Sequence, residues 1–312
     1  MRRRSALRNR VEHAAAAAVL ATLEWAPLPV ARRLAQGCAR LLDAAVPRLR
    51  RVARRNLALA LPELGARRRE RIIDGVFASI GRLLLAFARF PRIDRHNVGS
   101  WIRYEGFEHF ERAMQAGRGV LFATAHLGNW ELSAFAHSLL SAPMHVLARP
   151  LDNPHLDALV EARRARSGNR VILKRDFART ILSALKDNQA VGILMDQNAS
   201  LDHGVFVDFF GVRACAAAGF ARLAARSGAA VIPGFALWDP GEGRYVLRFY
   251  APVAMTGDVE RDTQALHSRL EQVIRQYPDQ WLWIHRRWKT RPPGEPPLYE
   301  MPLERAGTGA RS

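Results

Sequence analysis

Lysine is almost absent from these 312 residues: Lys174, Lys186 and Lys289 are the only ones, so arginine carries nearly all of the 47 basic side chains. Cysteine is scarcer still. Cys38 and Cys215 stand apart, with neither a CxxC spacing nor a Cys/His neighbour. That argues against a metal site and a disulfide framework, and it fits a reducing compartment. No stretch reaches the ~20 uninterrupted apolar residues of a clear membrane-spanning helix. Catalytic signatures are missing too: there is no GxSxG nucleophile elbow, no HExxH zinc motif and no glycine-rich phosphate loop. No cofactor is expected.

What is present is positive charge. The net charge is +18, and residues 1–55 hold 13 arginines against only Glu12, Glu24 and Asp43. Such a field draws an anionic partner: nucleic acid, an acidic membrane surface or an acidic protein. Nucleic acid is set aside, because no recognisable nucleic-acid motif with interleaved aromatic and basic residues occurs. The basic opening through Arg10, followed by Ala14 to Leu23, imitates a signal peptide, but no convincing small-x-small cleavage site follows. Glu24-Trp25-Ala-Pro27-Leu-Pro29 interrupts the apolar run instead. A basic, partly apolar helix ending in tryptophan belongs at a membrane interface, with an uncleaved single anchor as the competing reading.

Further helices are expected over Val30 to Ala45 and Arg50 to Leu61, broken at Pro47 and Pro62, and over Arg67 to Phe90. In the last, Ile73, Val76, Phe77, Ile80, Leu83, Leu84 and Phe87 recur at three and four. That stripe reads as core, although an acyl-chain groove would look the same. From Trp101 the texture alternates. Strands are expected over Met144–Arg149, Arg170–Lys174, Val191–Met195, Ala230–Leu237 and Tyr245–Tyr250, with helices between and after them. The fold class is therefore α/β: a sheet flanked by helices, behind an amphipathic helical N-terminal region. The expected division is 1–100 helical and basic, 101–291 α/β and catalytic, and 292–312 a proline-rich, loose tail.

The chain is organised around Gly119-Val-Leu-Phe-Ala-Thr-Ala-His126-Leu-Gly-Asn129-Trp-Glu131. An apolar strand ends at a histidine, Gly128 and Asn129 supply turn and N-cap chemistry, and Trp130 to Leu140 reads as a helix. On one continuous helix His126 and Glu131 would lie roughly 140° apart. With His126 in the turn and Glu131 in the first helical turn, the carboxylate can fold back to the imidazole. The same residues also fit a capped helix with a structural histidine. Two more strand ends carry polar clusters, Arg149-Pro-Leu-Asp152-Asn153-Pro and Asp196-Gln197-Asn198. Open α/β sheets gather such groups at one edge. Without a protein nucleophile, His126 is the candidate general base acting on a substrate's own hydroxyl or amine, with Glu131 fixing its tautomer. Arg149 is the candidate oxyanion or anion binder, a surface salt bridge being its alternative.

His126-Leu-Gly-Asn-Trp-Glu131 is an HX4(D/E) motif, and the chain resembles the bacterial lipid A biosynthesis acyltransferases, the late lauroyl and myristoyl transferases. Arg54-Arg55-Asn56-Leu57 with Pro62-Glu63 resembles their N-terminal signature, and Arg149-Pro150 with Asn153-Pro154 their second block. Asp196-Gln197 with Gly204 to Gly211 resembles the third, and Trp281-Leu-Trp283-Ile-His285-Arg286-Arg287-Trp288 through Pro292 the C-terminal one. The resemblance implies a glycerolipid-acyltransferase-like mixed sheet. It implies an enzyme at the cytoplasmic face of the inner membrane, peripheral or singly anchored. Its donor would be acyl carrier protein or acyl-CoA, and its acceptor the hydroxyl of an anionic glycolipid. By carry-over His126 and Glu131 are catalytic, and Arg149, Asn153, Asp196, Gln197 and Arg286 bind substrate. Trp281, Trp283 and Trp288, among basic residues, suit a lipid headgroup boundary, although core stacking would explain one or two of them. Related branches acylate phosphoinositide mannosides, aryl polyenes or ornithine lipids, and an acyl-thioester hydrolase is a further alternative.

Overall fold

The computed structural model describes residues 5–173 and 177–299. Four helices come first: α1 (Ala6–Trp25), α2 (Leu28–Ala45), α3 (Pro47–Ala60) and α4 (Ala66–Arg89). Prolines place the joints. Pro29 lies in the first turn of α2 and Pro47 opens α3, positions where a missing N–H has no helical partner to lose. Among the described residues no helix is long and apolar enough to cross a membrane.

Strands and helices then alternate: β1 (Ile102–Glu105), α5 (Glu108–Gln115), β2 (Val120–Thr124), α6 (Trp130–Leu140), β3 (His145–Ala148), α7 (Pro154–Ala165), β4 (Arg170–Leu173), α8 (Phe177–Lys186) and β5 (Ala190–Leu194). A hairpin, β6 (Gly204–Phe209) and β7 (Val212–Ala217), precedes α9 (Gly219–Ser227), β8 (Ala230–Asp239), β9 (Arg244–Phe249) and α10 (Val259–Gln276). Seven strands form one mixed sheet in the order β1-β9-β8-β2-β5-β3-β4. Its neighbours run parallel except β8 against β9. The expected strands are present to within two residues; Lys174, the expected end of one, lies outside the described residues, as does the tail from residue 300.

Alternation along β2 divides the core. Leu121 and Ala123 join one apolar cluster with Ile73, Val76 and Phe77 of α4, while Val120 and Phe122 join a second with Phe135 of α6. The stripe of α4 is thus core, and Phe90 just beyond it reaches a cavity wall. The β6–β7 turn has Phe210 at φ 59° and Gly211 at φ 73°, the geometry of a tight type I′ hairpin. A phenylalanine resists that conformation. Its ring is nevertheless fixed there, 6.5 Å from Trp281 and 5.7 Å from Trp283.

The C-terminal tryptophans correct a sequence expectation. Trp281, Trp283 and Trp288 do not meet lipid; they are 1%, 0% and 0% exposed, inside the core beside Phe209 and Phe210. Buried Asn56 pins this segment. Its amide donates to the carbonyls of Trp283 and His285, both at 2.6 Å, and its oxygen accepts from the Tyr299 hydroxyl at 2.6 Å. The arginine-flanked block around Asn56 is therefore a clamp on the segment that reaches the site.

Candidate active site

The site begins with a turn only glycine can make. Gly128 has φ +65°, and a Cβ there would fall 1.9 Å from the carbonyl oxygen of Ala236 on β8. The Asn129 amide donates to that same carbonyl at 2.9 Å, and the Asn129 side chain accepts from the Leu132 amide at 3.0 Å, capping α6. The Leu282 amide donates to the His126 carbonyl at 3.0 Å and the Gly128 amide to the Gln280 carbonyl at 2.9 Å. His126 is thereby held at the carboxyl end of β2, between β8, α6 and the C-terminal segment.

Its imidazole is oriented by Asp196, at the end of β5. The Nδ1–H donates to Asp196 Oδ1 at 2.9 Å, and the His126 backbone amide donates to Oδ2 at 3.0 Å. A third donor, the Trp281 indole N–H, reaches Oδ2 at 2.9 Å. Burial pushes the pKa of Asp196 up, but the charge and hydrogen bond of His126, with the indole and amide donors, outweigh it and hold the carboxyl well below the usual carboxylate range. An ionised carboxylate only accepts, so Nδ1 carries the proton and Nε2 keeps its lone pair. Burial lowers the pKa of His126; the Asp196 charge and hydrogen bond, and then the charge of Glu131, outweigh it and leave a net rise. Trp130 packs edge-on to the imidazole at 4.9 Å.

Glu131 lies in the first turn of α6, as its spacing implies, but the contact expected with the imidazole is made by Asp196. Glu131 instead receives a two-pronged ion pair from Arg164 of α7, Nε at 2.9 Å and Nη2 at 2.5 Å. The physical reason is geometric: Asp196 already fills the Nδ1 side, and a planar guanidinium matches both carboxylate oxygens at once.

His126, Glu131, Arg164, Arg149 and Gln197 line one cavity of about 850 Å³. His126, Arg149 and Gln197 follow the carboxyl ends of β2, β3 and β5, while Glu131 comes from α6 and Arg164 from α7. Phe122, Val146, Gly192, Gly234 and Phe249, set further back along the strands, make its inner wall apolar. Near them His137 is buried edge-on to Phe110 and Phe122, and desolvation pushes its pKa down to about 4.

The other sequence candidates divide. Gln197 places its amide nitrogen 3.4 Å from His126 Nε2. Arg149 is 77% exposed at the rim, 3.4 Å from Asp152. Asn153 does not line the cavity: it caps α7, accepting from the His155 and Leu156 amides, and donates to the Asn9 carbonyl and Glu12. Arg286 does not line it either; its guanidinium stands 5.6 Å over the Tyr299 ring. Two groups escaped the sequence reading. Arg164 is one arginine among many, and the Trp281 indole is 85 positions from its acceptor. His285 also matters: its Nε2 accepts from the Asn198 amide at 3.0 Å, fixing the loop after β5.

The sequence profile of the family described as bacterial lipid A biosynthesis acyltransferase matches residues 3–290. The chain is 32% identical over 252 residues to the lipid A biosynthesis palmitoleoyltransferase of Escherichia coli K12, covering 80% of this chain and 81% of that protein. It is 30% identical over 276 residues to the lipid A biosynthesis lauroyltransferase of the same organism, covering 88% and 90%. It is 29% identical over 240 residues to a phosphatidylinositol mannoside acyltransferase of Mycolicibacterium smegmatis, covering 75% and 78%. With the family profile matched over nearly the whole chain and two relatives of 30% identity or more covered over four-fifths of their length or more, the chain belongs to the bacterial lipid A biosynthesis acyltransferase family.

Proposed function

We propose that this acyltransferase moves a fatty acyl chain from the thioester of acyl carrier protein, or of coenzyme A, to a hydroxyl of a lipid A precursor at the cytoplasmic face of the inner membrane. The observation that carries the reading is His126 Nδ1 bound to Asp196, which leaves Nε2 as a base beside a cavity of ligand-binding size and apolar inner wall. The acceptor hydroxyl gives its proton to Nε2 as its oxygen attacks the thioester carbonyl. Asp196 stabilises the imidazolium that forms and fixes its tautomer. The carbon–sulfur bond then breaks, and the departing thiolate takes the proton from His126. No covalent acyl-enzyme is needed.

The remaining roles follow from charge. Arg149 at the rim, or amides at the positive end of α6, stabilises the oxyanion of the tetrahedral intermediate. Glu131 fixes Arg164 on the cavity wall and adds negative charge near His126. The fixed guanidinium and Arg149 meet phosphates of donor or acceptor. Gln197 covers Nε2 until the acceptor hydroxyl takes its place. The net charge of +18 favours an acidic carrier protein, an anionic glycolipid and an anionic membrane surface alike.

Mass spectrometry of lipids from cells with and without the protein tests this. One acyl mass missing from lipid A supports the reading and identifies the chain length. Intact lipid A, with the acyl mass missing from another lipid, overturns the acceptor. Thioester consumption by the purified protein at a rate indifferent to any acceptor makes it a hydrolase.

A further inference from the structure

We infer that His137 is a specificity residue for a donor acyl chain that carries a hydroxyl, which it hydrogen-bonds deep in the cavity, far inward from His126. The inference rests on the acyl-transfer reading above and names a class of donor for it.

Three buried imidazole nitrogens have no hydrogen-bond partner among the described residues: Nε2 of His137, Nδ1 of His145 and Nε2 of His267. Of these side chains only His137 lines the large cavity. Its ring is 2% exposed, and its other nitrogen, Nδ1, stands 3.4 Å from the Tyr104 hydroxyl. The closest rings are phenylalanines, Phe110 at 4.7 Å, Phe122 at 5.3 Å and Phe249 at 6.0 Å. A leucine or phenylalanine would fill such a place without stranding a polar atom. An imidazole nitrogen stripped of water and left alone is unfavourable, and a ligand that brings a partner removes the penalty. Thr124 and Ser133 also line the wall, but a hydroxyl can bond back to its own backbone. Nε2 has no such outlet.

Depth decides which part of the chain meets it. Trp130 packs on the His126 imidazole at 4.9 Å, and α6 runs from Trp130 back along the sheet to His137, roughly 10 Å at helical rise. With its thioester carbonyl at His126, an acyl chain passes inward between Phe122, Gly192, Gly234 and Phe249 and meets His137 in its middle. A hydroxyl on the second or third carbon stops well short.

The surroundings select a hydroxyl over a charged group. A carboxylate or ammonium among these phenylalanines would be desolvated without a counter-ion. Burial pushes the pKa of His137 down to about 4, so the ring is neutral, with one nitrogen a donor and the other an acceptor. A hydroxyl both donates and accepts, and so it matches Nε2 in either tautomer.

The test uses positional isomers, which hold hydrophobicity constant: thioesters of hydroxydodecanoic acid with the hydroxyl beside the thioester, in mid-chain or at the methyl end. Wild type should transfer the mid-chain isomer with a kcat/KM about three- to tenfold above the other two. Calorimetry with the free hydroxy acids should give the same order of Kd. His137→Leu should bring the three isomers to within about twofold of one another. His137→Gln, whose amide reaches the region of Nε2, should keep part of the preference, with melts to confirm that both variants fold. Wild type that does not discriminate among the isomers overturns the inference, and so does a preference that survives in His137→Leu. The expected order of Kd without transfer to any lipid A precursor leaves the chain site standing and fells the proposed reaction; transfer without isomer preference does the reverse.

Discussion

Glu131 faces Arg164, not His126: the guanidinium grips the carboxylate through Nε and Nη2 at 2.9 and 2.5 Å. The two carboxylates of the site therefore have different work, and kinetics can separate them. Asp196→Asn keeps the shape but loses the anion behind the imidazole, and should lower kcat by about 10³ to 10⁴ with little change in KM, as in other oriented histidine sites. Glu131→Gln frees Arg164, and should act mainly on KM while costing about 1–3 kcal/mol of stability through a half-buried unpaired cation. Adding Arg164→Leu should recover part of that stability. Equal kcat losses in both single variants would contradict the division.

The raised pKa of His126 gives a pH dependence with a definite sign. With His126 as the proposed base, transfer requires neutral imidazole, so kcat/KM should fall as pH drops through a value above 6.5, the ordinary histidine pKa. Trp281→Phe removes one hydrogen bond from Asp196 and concentrates its negative charge on His126. The acid limb should then move further up, by up to about one unit. A variant with lower activity and an unmoved limb would mean that Trp281 only packs.

Two buried histidines and one half-buried one set acid stability. His137, His267 and His285 are pushed down to about 4, chiefly by burial. Unfolded, each would take a proton near 6.5, so between 6.5 and 4 the unfolded chain holds more protons than the folded one. Stability should therefore fall as pH falls through that window, by up to about 1.4 kcal/mol per unit for each histidine. Thermal melts from pH 7 to pH 4 check it; a flat Tm would refute it. His285 protonation would also remove the acceptor used by the Asn198 amide.

Gly128→Ala should fail structurally. A methyl group 1.9 Å from the Ala236 oxygen, at φ +65°, forces β2 and β8 apart or straightens the turn. The expected outcome is insoluble protein or a loss above about 2 kcal/mol, read by thermal melt. A native melt with full activity would show that the turn tolerates a side chain.

Much of this was legible in the sequence where local chemistry decides. The His126 turn, the Asn129 cap and the Trp130–Leu140 helix are short-range and came out as read. Partnerships across the chain did not. Nothing local distinguishes Asp196, 70 positions on, from Glu131 as the group on His126, nor Arg164 from the other arginines. The β6–β7 hairpin was hidden because its tight turn uses phenylalanine where asparagine or glycine is expected. Asn153-Pro154 reads locally as cap and first helical residue, which the structure shows; the resemblance alone implies a substrate role there. The C-terminal tryptophans misled because flanking arginines made a core segment look like surface; Arg287 itself is fully buried, donating to the Cys215 carbonyl at 2.7 Å.

The most direct test of His126 as the base is a single-turnover assay on the purified full chain. Acyl thioester and lipid A precursor are mixed, and the lipid product is followed by mass spectrometry in wild type and His126→Ala, with melts to confirm the fold. The expected result is one added acyl mass in wild type, a rate lower by about 10³ or more in His126→Ala, and no acyl mass on either protein. Full transfer by His126→Ala, or a covalent acyl-enzyme in wild type, would contradict the mechanism.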